Sequence, residues 1–140
     1  MPELIPHNDI VADIERLKAI DMRIVYRVRE LINQLRADEM LLDDLLRDGF
    51  GGTPARPAKG AIFNVRAWCT AQQKELNLWR IRDFSLSRMG FEYRIVYGVF
   101  PQTEQIFILG IVERDFDYEL SHPISRRIVA AYRAIEDDLW

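Results

Sequence analysis

The sequence predicts a single α+β domain in which N-terminal helices and a C-terminal helix pack on one face of a four-stranded antiparallel sheet. Apolar residues recur at helical spacing in the first third of the chain and again near its end. Between them lie four short segments rich in β-branched and aromatic residues. A chain of 140 residues is long enough to bury one hydrophobic core. We therefore expect a helical part over 8–48, a loop over 49–60, a sheet over 62–113 and a helix over 123–139.

The first third predicts three helices. Asn8 is a good N-cap, and the apolar spacing of three and four breaks near Asp21, which divides the pattern into helices over about 9–19 and 21–36. These apolar positions are Ile10, Ile14, Leu17, Ile24, Val28, Leu31 and Leu35. The segment DEMLLDDLLRDG predicts a third helix that stops at Gly49. Its leucines favour core packing over a partner-binding surface. The opening MPELIP, with two prolines, is at best a poor edge strand.

The strand candidates are residues 62–69, 78–84, 91–99 and 105–113. Short links that contain polar, Gly or Pro residues separate them, which is typical of an antiparallel meander. A final helix then begins with Pro123 at its first position. Its apolar stripe consists of Ile124, Ile128, Ala131, Ile135 and Leu139.

Composition predicts an ordinary intracellular globular protein. Hydrophobic residues make up 49% of the chain, charged residues 29%, and the net charge of −3 gives no overall attraction to nucleic acid. The single cysteine, Cys69, excludes an internal disulfide and favours a reducing compartment. No signal peptide and no apolar run of about 20 residues is visible, so we expect a cytoplasmic protein without a membrane partner. His7 and His122 lie far apart in sequence, and we expect neither a metal nor a cofactor.

Side chains alternate between the two faces of a strand, and this alternation divides each predicted strand in the same way. One set of positions is apolar and is expected to be covered by the helices. In the last strand this set contains Phe107, Leu109 and Ile111, and the opposite set contains Ile108 and Val112. The opposite sets of all four strands together collect Arg66, Trp68, Arg80, Arg82, Arg94 and Arg114.

Two interpretations of this arginine-rich surface remain open. It is either a solvated outer face, where the arginines pair with Glu92, Glu113 or Asp83, or an anion-binding site. The second interpretation rests on chemistry: guanidinium groups bind phosphates in a bidentate way and keep their charge, and an indole provides a plane on which a base can stack.

The succession LWRIRDF, FEYRIVYGVF and QIFILGIVERDFDYELSHPISRRIVAAY resembles the RelE/ParE family of toxins from bacterial toxin–antitoxin pairs. In that family a strand that ends in Arg is followed by a paired strand of the form YRIVY. An apolar strand then leads into an Arg and, a few residues later, a Tyr. The match covers roughly 78–135. The resemblance implies a RelE-like fold, with helices packed on a curved antiparallel sheet and usually an additional strand before the helices.

The resemblance also implies a function. Catalytic members of the family cut mRNA, commonly on the ribosome and without a metal, by attack of a 2′-hydroxyl on the adjacent phosphate. By position, the basic residue that ends the second strand corresponds to Arg82 or Arg80. The other positions that the resemblance assigns to catalysis are Arg94, Arg114, Tyr118 and, more loosely, His122. Arg66, Trp68 and Arg80 are then expected to bind RNA.

The proton carrier stays open at this point. A free tyrosine titrates near pH 10, so Tyr118 would act as a base only if neighbouring arginines lowered its pKa. Tyr118 is equally well explained as a packed aromatic residue. Free histidine titrates near neutrality, which suits His122 to proton transfer, but a His before a Pro at a helix start also serves as a capping residue.

The implied partners are a cognate antitoxin protein and mRNA, held on the ribosome in relatives of this kind. The ParE branch of the family shares the fold but inhibits DNA gyrase by binding to it as a protein, so gyrase is the alternative partner. A third alternative is a degenerate family member that serves only as a binding module.

Overall fold

Five strands and six helices are formed in a computed structural model that describes residues 2–113, 116 and 118–139. In chain order they are β1 (Glu3–Pro6), α1 (Ile10–Ile20), α2 (Met22–Ala37), α3 (Glu39–Asp44), β2 (Phe63–Ala67), α4 (Cys69–Gln72), β3 (Leu78–Asp83), α5 (Phe84–Arg88), β4 (Tyr93–Phe100), β5 (Gln105–Glu113) and α6 (Pro123–Asp137). The α+β class is confirmed, and so are the four predicted strands and the long helices, to within a few residues at their ends.

The sheet has the order β1-β5-β4-β3-β2 and is mixed. Strands β2 to β5 are antiparallel neighbours, whereas β1 pairs in parallel with β5, from Glu3 beside Gln105 to Pro6 beside Ile108. The prediction of a sheet with four antiparallel strands was therefore wrong, because the sheet contains this fifth strand and the strand is parallel to its neighbour. Proline is tolerated in β1 because an edge strand is paired on one side only.

Aspartate side chains set the boundaries of the first helices. Asp21 has extended backbone (φ −165°), which interrupts the helical spacing, and its carboxylate accepts a hydrogen bond from the Arg23 N–H at the start of α2. Asp38 does the same for α3, where it accepts from the N–H groups of Met40 and Leu41. The break near Asp21 that the sequence predicts is thus an N-cap.

Two hydrophobic cores lie on opposite faces of the sheet. The first is covered by α1, α2 and α3 and contains Ile95, Tyr97, Ile108 and Ile111 from the central strands. The second is covered by α6 and lies on the same side of the sheet as the arginines, since Val96 and Leu78 belong to it. The expectation that all helices pack on one face is therefore wrong.

A β-bulge explains this error. Val96 pairs with Gly110 but Tyr97 pairs with Ile108, so Leu109 is an extra residue in β5. The alternation of side chains shifts at that point, and Leu109 and Phe107 lie in the second core instead of the first. Strict alternation along β5 predicted the wrong faces for Phe107, Leu109 and Ile108. Of these three, Phe107 and Leu109 form part of the surface on which α6 packs, whereas Ile108 belongs to the first core.

Helix α6 is tied to α1 around the free edge of β5. Asp13, which is 5% exposed, accepts from both terminal nitrogens of Arg127 at 3.0 and 2.8 Å and from the Ile111 N–H at 2.9 Å. Arg16 donates to the Ile111 carbonyl at 2.9 Å. Because β1 stops at Pro6, these side chains satisfy the part of the β5 edge that no strand covers.

Candidate functional site

Four arginines lie together on the part of the sheet that α6 leaves open, and we call this surface the arginine face: Arg66, Arg80, Arg82 and Arg94. Arg66 lies directly opposite Arg80, whereas Arg82 lies opposite Asn64. The pairing of Ile81 with Ile95 places Arg82 beside Arg94. The face therefore has two rows, Arg82 with Arg94 and Arg66 with Arg80, as the alternation in β2, β3 and β4 predicted.

The row of Arg82 and Arg94 contains one carboxylate. Arg82 donates from Nη2 to Glu92 Oε2 at 2.5 Å and from Nε to Ser87 Oγ at 3.1 Å. Arg94 lies 3.7 Å from the same Glu92 oxygen, and its side chain is 13% exposed. One negative charge thus lies between two guanidinium groups, and the hydrogen bonds to Glu92 and Ser87 orient Arg82.

The row of Arg66 and Arg80 has no carboxylate partner among the described residues. Arg80 donates to Asn64 Oδ1 at 3.2 Å, and Arg66 donates to the carbonyl of Val65 at 3.4 Å. Burial lowers the pKa of Arg80, and the neighbouring Arg66 and Arg82 lower it further. Guanidinium remains protonated at neutral pH, so this row carries positive charge that no described carboxylate pairs with, and the charge of Arg80 is partly desolvated.

The solvated-face interpretation expected the arginines to pair with Glu92, Glu113 or Asp83, and the structure contains only some of these ion pairs. Glu92 does pair with the arginines of the face, as that interpretation expected. Glu113, however, pairs with Arg16 at the edge of β5, and Asp83 pairs with Arg27 of α2 on the side of the sheet that faces the first core. Two of the three carboxylates that would neutralise the arginine face are therefore used elsewhere.

Tyr118 lies over the arginine face, close enough to Arg80 and Arg94 for their charges to act on its phenol. Burial nevertheless raises the pKa of Tyr118, and the two arginines offset this only in part. Its hydroxyl is buried and has no hydrogen-bond partner in the described part of the chain. A phenol in this state is a hydrogen-bond donor at neutral pH and not a base.

Tyr118 is held there by an aromatic cluster. Its ring lies 5.4 Å from Trp68 and 4.8 Å from Phe116, and its carbonyl accepts from Trp68 Nε1 at 2.9 Å. Trp68 is only 3% exposed. The indole therefore has no free face on which a base can stack, in contrast to the role that the sequence predicted for it. The positive φ of Tyr118, 60°, is an uncommon conformation for a residue other than glycine.

His122 is the N-cap of α6. Its Nδ1 accepts from the Ile124 N–H at 3.1 Å, and its ring packs edge-on against Phe116 at 5.2 Å. The capping role, which the sequence left open as an alternative, thus occupies the lone pair that a general base would use. Arg114, the remaining predicted catalytic residue, lies outside the described residues.

Sequence reasoning missed the polar residues that position the arginines. Ser87 lies on α5, a five-residue helix that carries no strong pattern, and Asn64 is 5% exposed within β2. The sequence indicated Glu92 only as a surface partner of the arginines. A signal was present, because Glu92 directly precedes β4 and follows the same alternation as Arg94 and Val96.

The arginine face is bordered by an open depression of about 320 Å³, lined by Arg66, Ala67, Trp68, Cys69, Thr70, Arg80 and Tyr118. Among the residues that the structure describes, no group of three or more His, Cys, Asp or Glu side chains could hold a metal ion. No helix in the described ranges is long and apolar enough to span a membrane. Comparison with known protein families, with curated protein sequences and with solved structures finds no match.

Proposed function

We propose that this protein is the toxin of a toxin–antitoxin pair and cuts mRNA as an endoribonuclease, through attack of a 2′-hydroxyl on the adjacent phosphate. The observation that carries the proposal is the arginine face, where four arginines share one surface and a single described carboxylate, Glu92, pairs with two of them. Phosphoryl transfer depends on stabilising charge at the phosphate more than on covalent chemistry by the protein.

Arg82 and Arg94 are the residues best placed to hold the scissile phosphate. They lie side by side in the sheet, and Ser87 and Glu92 fix the direction of the Arg82 guanidinium. Donors that are fixed before the reaction stabilise developing charge without reorganisation, which is the largest single contribution in many enzymes. Arg114 stays a predicted member of this set.

The proton carrier in this proposal is Glu92. The raised pKa of Tyr118 keeps its phenol protonated at neutral pH, and the capping bond of His122 engages its Nδ1. Glu92 is partly exposed and touches Arg82, so its carboxylate can take the proton of the 2′-hydroxyl as the 2′-oxygen bonds to phosphorus. It can then return that proton to the leaving 5′-oxygen as the bond between phosphorus and the 5′-oxygen breaks.

The chain order of the elements also supports the proposal. A strand before a pair of helices is what the RelE/ParE resemblance implies, and β1 precedes α1 and α2 in this chain. The arginines of LWRIRDF and YRIVY lie on adjacent strands, β3 and β4. The resemblance further implies a cognate antitoxin as partner, mRNA on the ribosome as substrate, and hence the cytoplasm as location.

The proposal is tested by inducing expression in a bacterial host while growth is followed and mRNA 5′ ends are mapped. We expect growth arrest with new 5′ ends within minutes. Arg94→Ala should lower cleavage about 100- to 1000-fold, the usual effect of removing one positioned donor. Arg29→Ala is the matched control, because Arg29 is exposed on α2 at the opposite side of the sheet.

Three outcomes would contradict the proposal. Arrest with intact mRNA and inhibited gyrase would favour the gyrase-inhibitor alternative. Unimpaired growth at confirmed expression would favour a binding module without toxicity. Full cleavage by the Arg94→Ala variant would mean that the arginine face is not the active surface.

A further inference from the structure

The two rows of the arginine face differ in charge. Arg82 and Arg94 share Glu92, whereas Arg66 and Arg80 have no carboxylate partner in the described part of the chain. We infer that the face binds two successive phosphates of one single strand, the scissile phosphate at Arg82 and Arg94 and a flanking phosphate at Arg66 and Arg80. This inference rests on the proposed function for the identity of the scissile position, but not for the number of phosphates.

The spacing of the rows fits this ligand. Arg80 and Arg82 are two residues apart on β3 and share one face, so their Cα atoms are about 7 Å apart. That separation is comparable with the distance between successive phosphates of an extended single strand. The nucleic acid strand would therefore run along β3, with one phosphate at each row.

Electrostatics assign different tasks to the rows. A guanidinium that is partly desolvated and faces other guanidinium groups is stabilised by any bound anion, and this describes Arg80. Arg66, directly opposite, is exposed and supplies a second donor. Because no described carboxylate competes for this row, it contributes binding energy, while the row that contains Glu92 carries the chemistry.

The depression beside the second row gives the flanking nucleotide a place. It lies between Arg66, Thr70 and Tyr118 and is open to solvent, with a volume of about 320 Å³. Since Trp68 is buried, the nucleotide is bound by the arginines that hold its phosphate and by the polar rim, not by stacking on the indole. Such interactions carry little sequence information, so the second row selects an extended single strand without a base preference.

The test uses binding of a short strand that cannot be cleaved, a fluorescent 2′-O-methyl oligonucleotide, measured by anisotropy over a range of salt concentrations. A variant that binds one phosphate fewer should show a slope of log K against log salt that is smaller by about 0.7. We expect this smaller slope for Arg66→Ala, whose side chain is exposed and contributes to no core. The control Arg29→Ala should leave the slope unchanged.

A chemical version of a double-mutant cycle locates the second phosphate. Single phosphates of the oligonucleotide are replaced, one at a time, by neutral methylphosphonates. One replacement should weaken binding to the wild-type protein but have no further effect on Arg66→Ala, and the adjacent replacement should behave in the same way with Arg94→Ala. Replacements that couple to the two arginines at non-adjacent positions, or an unchanged slope in Arg66→Ala, would overturn the inference.

The outcomes separate the inference from the proposed function. If the oligonucleotide shows coupling at two adjacent phosphates but expressed protein leaves mRNA intact, the inference holds and the ribonuclease proposal fails. If mRNA is cleaved but Arg66→Ala binds with wild-type affinity and slope, the ribonuclease proposal holds and the two-phosphate site fails.

Discussion

The ion pair between Arg27 and Asp83 offers a sharp test of how the site is supported. Asp83 ends β3 directly after Arg82, and its fully buried carboxylate accepts two hydrogen bonds from Arg27, both at 2.8 Å. It also accepts from the Leu86 N–H and so caps α5, the helix that carries Ser87. We predict that Arg27→Met destabilises the protein more than Asp83→Asn does.

The predicted order of the two stability losses follows from the difference in burial between Arg27 and Asp83. Breaking a buried ion pair by removing one partner costs about 3–5 kcal/mol, because the other charge stays buried without compensation. Arg27→Met orphans the Asp83 carboxylate, which is 0% exposed, so we expect the upper end, about 4–5 kcal/mol. Asp83→Asn orphans Arg27, which is 11% exposed and has Glu30 at 3.7 Å, so we expect about 3 kcal/mol.

The assay is urea unfolding followed by circular dichroism, with thermal melts as a second measurement. For a domain of this size, a loss of about 4 kcal/mol lowers Tm by roughly 10 °C or more. The matched control is Arg23→Met on the same helix. Arg23 also pairs with an aspartate, Asp21, but its side chain is 65% exposed, so its removal should leave the unfolding midpoint nearly unchanged.

The double variant Arg27→Met with Asp83→Asn decides between the explanations. No buried charge remains in it, so it should be more stable than Arg27→Met alone. A double variant whose loss of stability equals the sum of the two single losses would refute the orphaned-charge reasoning. Equal losses in the two single variants would refute the argument from burial.

Two further predictions concern tyrosines and the proton carrier. Burial raises the pKa of Tyr97 well above its ordinary value of 10.0, so the stability it contributes is present below pH 10 and is lost as pH rises further. The free energy of unfolding of Tyr97→Phe, which lacks the hydrogen bond to the Leu45 carbonyl, should therefore fall less steeply above pH 10 than that of the wild type. Glu92→Gln should lower the mRNA cleavage rate roughly 100-fold or more, and Tyr118→Phe should lower it less. The reverse order would assign proton transfer to Tyr118.

Local signals in the sequence were sufficient for most of the secondary structure. The break at Asp21, the alternation of β4 and the His-Pro start of α6 all depend on neighbouring residues, and all are present in the structure. The sequence predicted β1 as at best a poor edge strand, because its pairing with β5 joins residues about 100 positions apart and no local pattern indicates such a pairing. The short helices α4 and α5 are likewise too brief for a periodic pattern.

The site was predictable only where alternation holds without interruption. The register of β2, β3 and the first half of β4 is regular, and the shift begins only after Val96. The predicted grouping of Arg66, Arg80, Arg82 and Arg94 on one face is therefore correct. The burial of Trp68 was not predictable, because it depends on Phe116 and Tyr118, which come from a distant part of the chain.

The bulge in β5 also explains how one side of the sheet accommodates both a core and a charged surface. The extra residue Leu109 turns apolar side chains toward α6, and Gly110 lets that helix approach closely, since an added Cβ would lie 3.0 Å from Ile128 Cδ1. Tyr118, which follows β5 in the chain, packs against the second core on this side of the sheet and lies near Arg80. A regular β5 would direct Leu109 to the first core and Ile108 toward α6 instead. The bulge therefore determines which apolar side chains of β5 contact the second core.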